Sequence, residues 1–231
     1  MVKPARKSAG GVDATTATAP PAPKTGRGPR PGGQRPLAHE VRIIGGLWKR
    51  TPLRVPTGAT DLRPTPARVR ETLFDWLGAA VVGARCIDAF AGTGALGFEA
   101  ASRGALEVVL VEQEPKLVAA LEATKLRLAA AAVRVVRGDG FSMLARQAPD
   151  AFDLVLLDPP FGSPLGRRAL AEAARVVAPG GHVYLESAAP ATRAARPEPE
   201  AVPPGLAVHR RLRAGAVLAT LYRRLPDGTA D

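Results

Sequence analysis

Beyond residue 84 the chain alternates two hydrophobic rhythms. Short apolar runs at Arg85–Asp88, Glu107–Val111, Val133–Arg137, Phe152–Leu157 and His182–Glu186 have the length of strands. Between them, Ala95–Arg103, Pro115–Arg127, Phe141–Arg146 and Arg168–Val177 read as helices. This alternation predicts a parallel sheet covered on both faces, since parallel neighbours need crossovers and the crossover helices bury the strands. After the Pro-rich Ala194–Pro204 region, Ala207–Arg213 and Ala216–Arg223 join at Ala214-Gly215 and predict an antiparallel hairpin that closes the sheet. Upstream, Val69, Leu73, Phe74 and Leu77 recur at helical spacing within Thr65–Leu77. Val41–Gly46 and Leu53–Val55 predict a small basic hairpin around Trp48, Lys49 and Arg50. Before residue 41 no hydrophobic period exists. The expected organisation is a disordered basic arm over 1–40, a hairpin and helix extension over 41–80, and a main domain over 81–231.

Length and composition narrow this picture. A chain of 231 residues holds one substantial α/β domain with appendages. Its one cysteine, Cys86, falls inside an apolar strand and forms no internal disulfide, which fits a reducing cytoplasm. The three histidines, His39, His182 and His209, lack ligand spacing, so no metal is expected. No apolar stretch approaches the roughly 20 residues that span a bilayer, and the start lacks an apolar signal core. A soluble protein without membrane contact is expected. The formal net charge of +11 points to a polyanion partner, with basic solubility tails and acidic membrane surfaces as the competing explanations.

The candidate chemistry sits at strand ends, where open α/β sheets bind ligands. Asp158-Pro159-Pro160-Phe161 follows the run Phe152–Leu157. Two successive prolines remove two N–H donors and stiffen the turn, leaving carbonyl oxygens and one carboxylate beside an aromatic ring. That combination suits an exocyclic amino group on a nucleobase, although an ordinary Pro-rich turn is the plainer reading. Gly92, Gly94 and Gly97 form a G-x-G-x-x-G turn between the first long strand and a helix. Alone it announces either a dinucleotide fold or a ligand-free turn; Asp88 at its head adds an acceptor for a ligand ammonium. Glu112, about 20 residues beyond the glycines, is placed to accept two ribose hydroxyls or is surface charge at a helix start. Asp139 is placed to meet an adenine amino group or to cap the next helix. Successive strand-end acids around one Gly-rich loop describe a nucleoside site with a cationic tail, which fits S-adenosylmethionine better than NAD.

The order of the glycine loop, Glu112, Asp139 and the Asp-Pro-Pro-Phe tetrad resembles that of the class I S-adenosylmethionine-dependent methyltransferases that modify exocyclic amines. More narrowly, Arg42-Ile43-Ile44-Gly45-Gly46 and Arg63-Pro64-Thr65-Pro66-Ala67-Arg68-Val69-Arg70-Glu71-Thr72-Leu73-Phe74-Asp75-Trp76-Leu77, followed by Asp88–Gly97, are similar to the RsmD family of 16S ribosomal RNA guanine-N2 methyltransferases. The likeness runs from about Val41 to Arg223. The basic arm and Gly162-Ser163-Pro164, in place of a more basic loop, depart from the family pattern.

The resemblance implies a Rossmann-like class I fold with a mostly parallel seven-stranded sheet and a C-terminal antiparallel hairpin. It implies S-adenosylmethionine as cofactor, held by Asp88, Phe90, Gly92, Gly94, Glu112, Gln113, Gly138 and Asp139. It implies catalysis by Asp158, Pro159 and Phe161 on ribosomal RNA within a small-subunit assembly particle; a cytoplasmic location is expected from the cysteine usage, and a monomer from the lack of an exposed coiled-coil pattern. Trp48, Lys49, Arg50, Arg63, Thr65 and Arg68 are the expected RNA contacts, Trp48, Lys49 and Arg50 because they offer stacking and charge together, with the cofactor carboxylate as the alternative partner of Arg63. For Trp48 a core position, and for Arg68 and Arg70 a solvated helix face, remain open. A DNA adenine-N6 methyltransferase and a non-catalytic RNA-binding assembly factor are the rival readings. If the arm contributes to RNA binding, deletion of Met1–Gln34 lowers affinity and flattens its salt dependence in a binding titration; unchanged affinity and slope would dismiss the arm.

Overall fold

The structure, a computed structural model, describes residues 41–56, 65–160, 165–189 and 202–226. The predicted arm, Arg63, Phe161, Gly162–Pro164 and most of the Pro-rich region lie outside them. In chain order the elements are β1 (Val41–Arg42), β2 (Pro52–Leu53), α1 (Ala67–Leu77), β3 (Arg85–Asp88), α2 (Ala95–Ser102), β4 (Glu107–Glu112) and α3 (Pro115–Leu128). There follow β5 (Val133–Arg137), α4 (Gly140–Ala145), β6 (Phe152–Leu157), α5 (Leu165–Val176), β7 (Val177–Ala188), β8 (Leu206–Ala214) and β9 (Val217–Arg224).

β1 and β2 pair antiparallel by themselves, as the expected hairpin. The other strands form one sheet in the order β5-β4-β3-β6-β7-β9-β8. β5, β4, β3, β6 and β7 run parallel, and β9 lies antiparallel to both β7 and β8. This is the predicted seven-stranded arrangement. The chain lays down β3, β4 and β5 in one direction and then returns to the other side of β3 for β6. That reversal opens a crevice at the carboxyl ends of β3 and β6, the place where ligands enter such sheets.

Continuous apolar runs suit these strands because successive side chains point to opposite faces and both faces are covered. Cys86, Val108, Leu110, Leu154 and Leu156 face the core under α1, α2 and α3. Ile87, Val109, Val111, Val155 and Leu157 face the core under α4 and α5. Cys86 is buried, and burial pushes its thiol up to about 12, so it serves as a small apolar side chain. β7 starts earlier than its apolar run suggests. Val177 already pairs with Phe152, and the ladder slips before resuming at His182 opposite Leu154. Gly180, at φ 80°, lets the chain make that slip. Among the described residues no helix is long and apolar enough to cross a membrane.

α2 is buried along its whole length, so even its polar residues need partners inside the protein. The hairpin supplies them. Glu99 is 0% exposed, and its carboxylate accepts from the amides of Ile44 at 2.7 Å and Gly45 at 2.8 Å and from Arg103 Nε at 2.8 Å. Ser102 Oγ donates to the Gly45 carbonyl and accepts from the Trp48 amide. Here the paired glycines are a steric requirement. A Cβ on Gly46, at φ +72°, would stand 1.8 Å from the Ser102 carbonyl oxygen, and one on Gly45 would meet the Arg103 guanidinium at 2.7 Å. The Arg103 guanidinium also lies 5.0 Å from the centre of the Phe74 ring of α1.

Arg70 completes the joint. It is 2% exposed, which excludes the solvated-face reading for this arginine, while Arg68 is exposed. Its guanidinium donates to the Arg42 carbonyl at 3.0 Å and the Thr65 carbonyl at 3.3 Å, and pairs with Glu99 at 3.6 Å. Removing one member of such a pair strands the other charge in the core. Glu99→Ala is expected to lower unfolding free energy by about 3–5 kcal/mol in a denaturant titration, whereas a loss comparable to that of a surface pair would refute this account of the joint.

Candidate active site

A cavity of about 570 Å³ opens at the crevice and is lined by strand-end residues from β3, β4, β5 and β6. Its volume is in the range of pockets that hold small organic ligands. Of the residues singled out from the sequence, Asp88, Phe90, Gly92, Glu112, Gln113, Gly138, Asp139, Asp158, Pro159 and Thr65 all line it. Gly94 does not. It stands at the N-cap of α2 with φ 77°, where a Cβ would run into Phe98 and Leu121, so its smallness serves the turn and the packing beneath. Gly97 works from below as well: a Cβ there would lie 2.1 Å from Leu110 Cδ2, so glycine lets α2 press onto the sheet. Trp48, Lys49, Arg50 and Arg68 stand away from the cavity wall. Trp48 is half-buried against the core, while Lys49, Arg50 and Arg68 are exposed.

The acids are held by backbone amides. Asp88 Oδ2 accepts from Gly97 N at 3.0 Å, while its buried Oδ1 has no hydrogen-bond partner among the described residues. Burial pushes this carboxyl up to about 7; the amides of Gly97 and, more loosely, Phe90 pull against that, and Glu112 and Glu186 add to it. An unmatched acceptor at a cavity wall is what a cationic donor on a ligand would satisfy. Glu112 accepts from Gly92 N at 2.9 Å through Oε2, and from the amides of Gln113 at 2.8 Å and Glu114 at 2.9 Å through Oε1. The carboxylate thus ties the glycine turn to the end of β4. Asp139 caps α4 through a 2.8 Å bond from Ser142 N, and the Ser142 hydroxyl, followed by that amide, holds its carboxyl below the usual range. The cap and the cavity position coexist in one residue.

Asp158 lies just past β6, on the opposite bank from Asp88. Its Oδ2 accepts from Thr65 Oγ1 at 3.3 Å. Burial raises its pKa well above the ordinary carboxyl range, with Glu186 and Asp88 adding to the effect and the Thr65 hydroxyl opposing it. Glu186 went unnoticed in the sequence. It ends the run Val183-Tyr184-Leu185 on β7, is 2% exposed, and accepts from Tyr184 Oη at 2.8 Å. Its signal was present nonetheless, as one more acid at the end of an apolar strand.

Comparison with known proteins adds the family. Residues 41–223 match the family described as Conserved hypothetical protein 95. Ribosomal RNA small subunit methyltransferase D of Escherichia coli K12 is 37% identical over 192 residues, covering 83% of this chain and 94% of that protein. The chain belongs to the RsmD family. Its counterpart of the same name in Haemophilus influenzae is 40% identical over 134 residues, covering 57% of this chain and 69% of that protein. The solved structure of the Escherichia coli protein yhhF superposes with a TM-score of 0.70 at 37% identity, covering 82% of this chain and all of that one. The RsmD-family protein is a methyltransferase with a mostly parallel seven-stranded α/β fold.

The charge on Asp88 has a consequence for stability. An acid whose folded pKa is raised from 3.8 to about 7 binds more protons folded than unfolded between those values, so its contribution to stability falls as pH rises through that window and is flat outside it. Asp88→Asn is expected to become more stable relative to the wild type as pH rises from about 4 to 7, with a limiting slope of ~1.4 kcal/mol per unit. A difference between the two proteins that does not change with pH, measured by urea unfolding, would contradict the burial of an ionising carboxyl.

Proposed function

We propose that this protein transfers the methyl group of S-adenosylmethionine to the exocyclic N2 amine of a guanine in small-subunit ribosomal RNA. The observation that carries this reading is the buried carboxyl of Asp158 facing the same cavity as the unmatched oxygen of Asp88. The relatives named as small-subunit ribosomal RNA methyltransferases, and the net charge of +11, support RNA as the substrate.

The lining fits the cofactor chemically. Asp88 offers an acceptor to the ammonium of its amino-acid tail, Glu112 to the ribose hydroxyls and Asp139 to the adenine amine, with Phe90, Gln113 and Gly138 beside them. When bound, S-adenosylmethionine supplies an electrophilic methyl group on a sulfonium. The remaining work is done by the protein. The guanine amine is a poor nucleophile because its lone pair is delocalised into the ring, so orientation is the main task. Asp158 Oδ and the Pro159 carbonyl accept the two amino protons, which directs the lone pair toward the electrophile. Phe161 stacks on the extruded base. The carboxylate of Asp158 also stabilises the positive charge that develops on nitrogen, an effect strengthened where water is excluded. Pro160, having no N–H, keeps the corner free of a competing donor.

Asp158→Ala is expected to lower methyl transfer to RNA by about 10²–10⁴-fold while cofactor affinity changes little. The assay is labelled-methyl incorporation into small-subunit RNA, with the product mapped as N2-methylguanine. Turnover at the wild-type rate in that variant, or label that survives RNase and disappears with DNase, would overturn the proposal.

A further inference from the structure

Resting on the reading above, we infer that Arg168, laid over the ring of Phe141 at the rim of the cavity, grips a phosphate of the RNA strand that delivers the guanine. One side chain from α4 and one from α5 thus make a contact for the backbone beside the target base.

The two helices dictate where this pair stands. Gly140, the first residue of α4, lines the cavity, and Phe141 is the next residue along. Leu165, the first residue of α5, lines it as well, and Arg168, three positions on, shares the helix face of Leu165. Between these two, Gly166 packs near the proline corner: a Cβ there would lie 3.6 Å from Pro159 Cγ. At the rim the Arg168 guanidinium carbon lies over the Phe141 ring, 4.2 Å from its centre. Arg168 is exposed and Phe141 half-buried.

Stacking prepares the arginine for a ligand. A long side chain loses rotamer freedom when it binds, and a guanidinium already settled on a ring has less to lose. The ring covers one flat face and leaves the N–H edges open. Among the described residues Arg168 makes no hydrogen bond and no ion pair. Asp139 lies within electrostatic reach of Arg168 and Arg146, but its carboxylate already accepts from Ser142 N. Arg146 brings a second positive charge to this part of the rim, with its Nε donating to the Ser142 carbonyl at 2.9 Å. Nor is Arg168 needed to hold α4 to α5. Arg175, farther along α5, donates to the carbonyls of Gln147 at 2.7 Å, Leu144 at 3.0 Å and Ala145 at 3.1 Å. In the sequence Gly162-Ser163-Pro164 carry no charge, so Arg167 and Arg168 are the first cations beyond the tetrad. A base that enters the cavity draws its own backbone across the rim. What meets Arg168 there is a phosphodiester, whose oxygens match the open edge of a guanidinium. Such a contact fixes the register of the strand and reads no base.

A small-subunit ribosomal RNA transcript, titrated over a salt series, probes the site without requiring turnover. Arg168→Ala is expected to weaken binding about tenfold and to make the slope of log affinity against log salt shallower by about one, the mark of one lost phosphate contact. KM for RNA is expected to rise in parallel, with kcat and the affinity for S-adenosylmethionine within about twofold of the wild type. Phe141→Leu keeps the charge but removes the ring, and is expected to weaken binding about threefold with little change of slope. Arg211→Ala, on the border strand β8, removes an equal charge away from the cavity wall and is expected to leave affinity within about twofold. Wild-type affinity and slope in Arg168→Ala, or wild-type affinity in Phe141→Leu, overturns the site. So does an equal loss in Arg211→Ala, which makes the effect one of overall charge, or a loss confined to cofactor affinity, which makes Arg168 part of the nucleoside pocket. A wild-type protein that binds the transcript and does not methylate it overturns the functional reading alone, and the titration still decides the phosphate contact.

Discussion

A carboxylate with no access to water must be answered entirely from within, and Glu99 is the one from which the rest of this architecture hangs. It draws the Ile44 and Gly45 amides, Arg103 and Arg70 onto one helix. Arg70 passes the constraint on by holding the Thr65 carbonyl, and the Thr65 hydroxyl reaches Asp158. The residues ahead of β3 are therefore a wall of the cavity. A looser joint at α2 would be felt at the far end of that series as a misplaced hydroxyl beside the Asp158 carboxyl. Small displacements there matter on the proposed reading, in which orientation of a weak nucleophile is the main contribution asked of the site.

The second constraint is repulsion. Asp88, Asp158 and Glu186 are buried close together, and burial raises the pKa of each, with neighbouring acids adding to the effect for Asp88 and Asp158. Left alone, such a cluster opposes folding at neutral pH. The protein tolerates it with amides at Gly97, hydroxyls at Thr65 and Tyr184, and one buried guanidinium. On the proposed reading a cationic ligand relieves what remains, so the acids that oppose folding also favour that ligand's binding.

Much of this was legible in the sequence. Strand and helix positions follow from apolar spacing, and the strand-end acids Asp88, Glu112, Asp139 and Asp158 follow from the strand ends, because a parallel sheet carries its ligands there. What spacing could not reveal is which polar residues are satisfied where. Arg70 shares the stripe of Leu73, Phe74 and Leu77, a position that signals burial, but its partner Glu99 belongs to another helix and no local pattern connects them. Glu186 lacks the glycine or proline punctuation that drew attention to the other acids. Trp48 beside two basic residues suggested stacking on RNA, yet its backbone is bound to Ser102 and its ring packs on the core. The early start of β7 depends on a slipped ladder around Gly180, which a hydrophobicity pattern does not register.

β8 ends the sheet, with β9 on one side and no strand of the described residues on the other. Such a border exposes backbone groups on which another chain could lengthen the sheet. Arg210, Arg211 and Arg213 are exposed along it, and a second copy approaching strand to strand would bring its own arginines against them. Like charges set face to face in a ladder are unfavourable. The positive charge of this border thus disfavours edge-to-edge pairing between copies of the protein, independently of any nucleic acid.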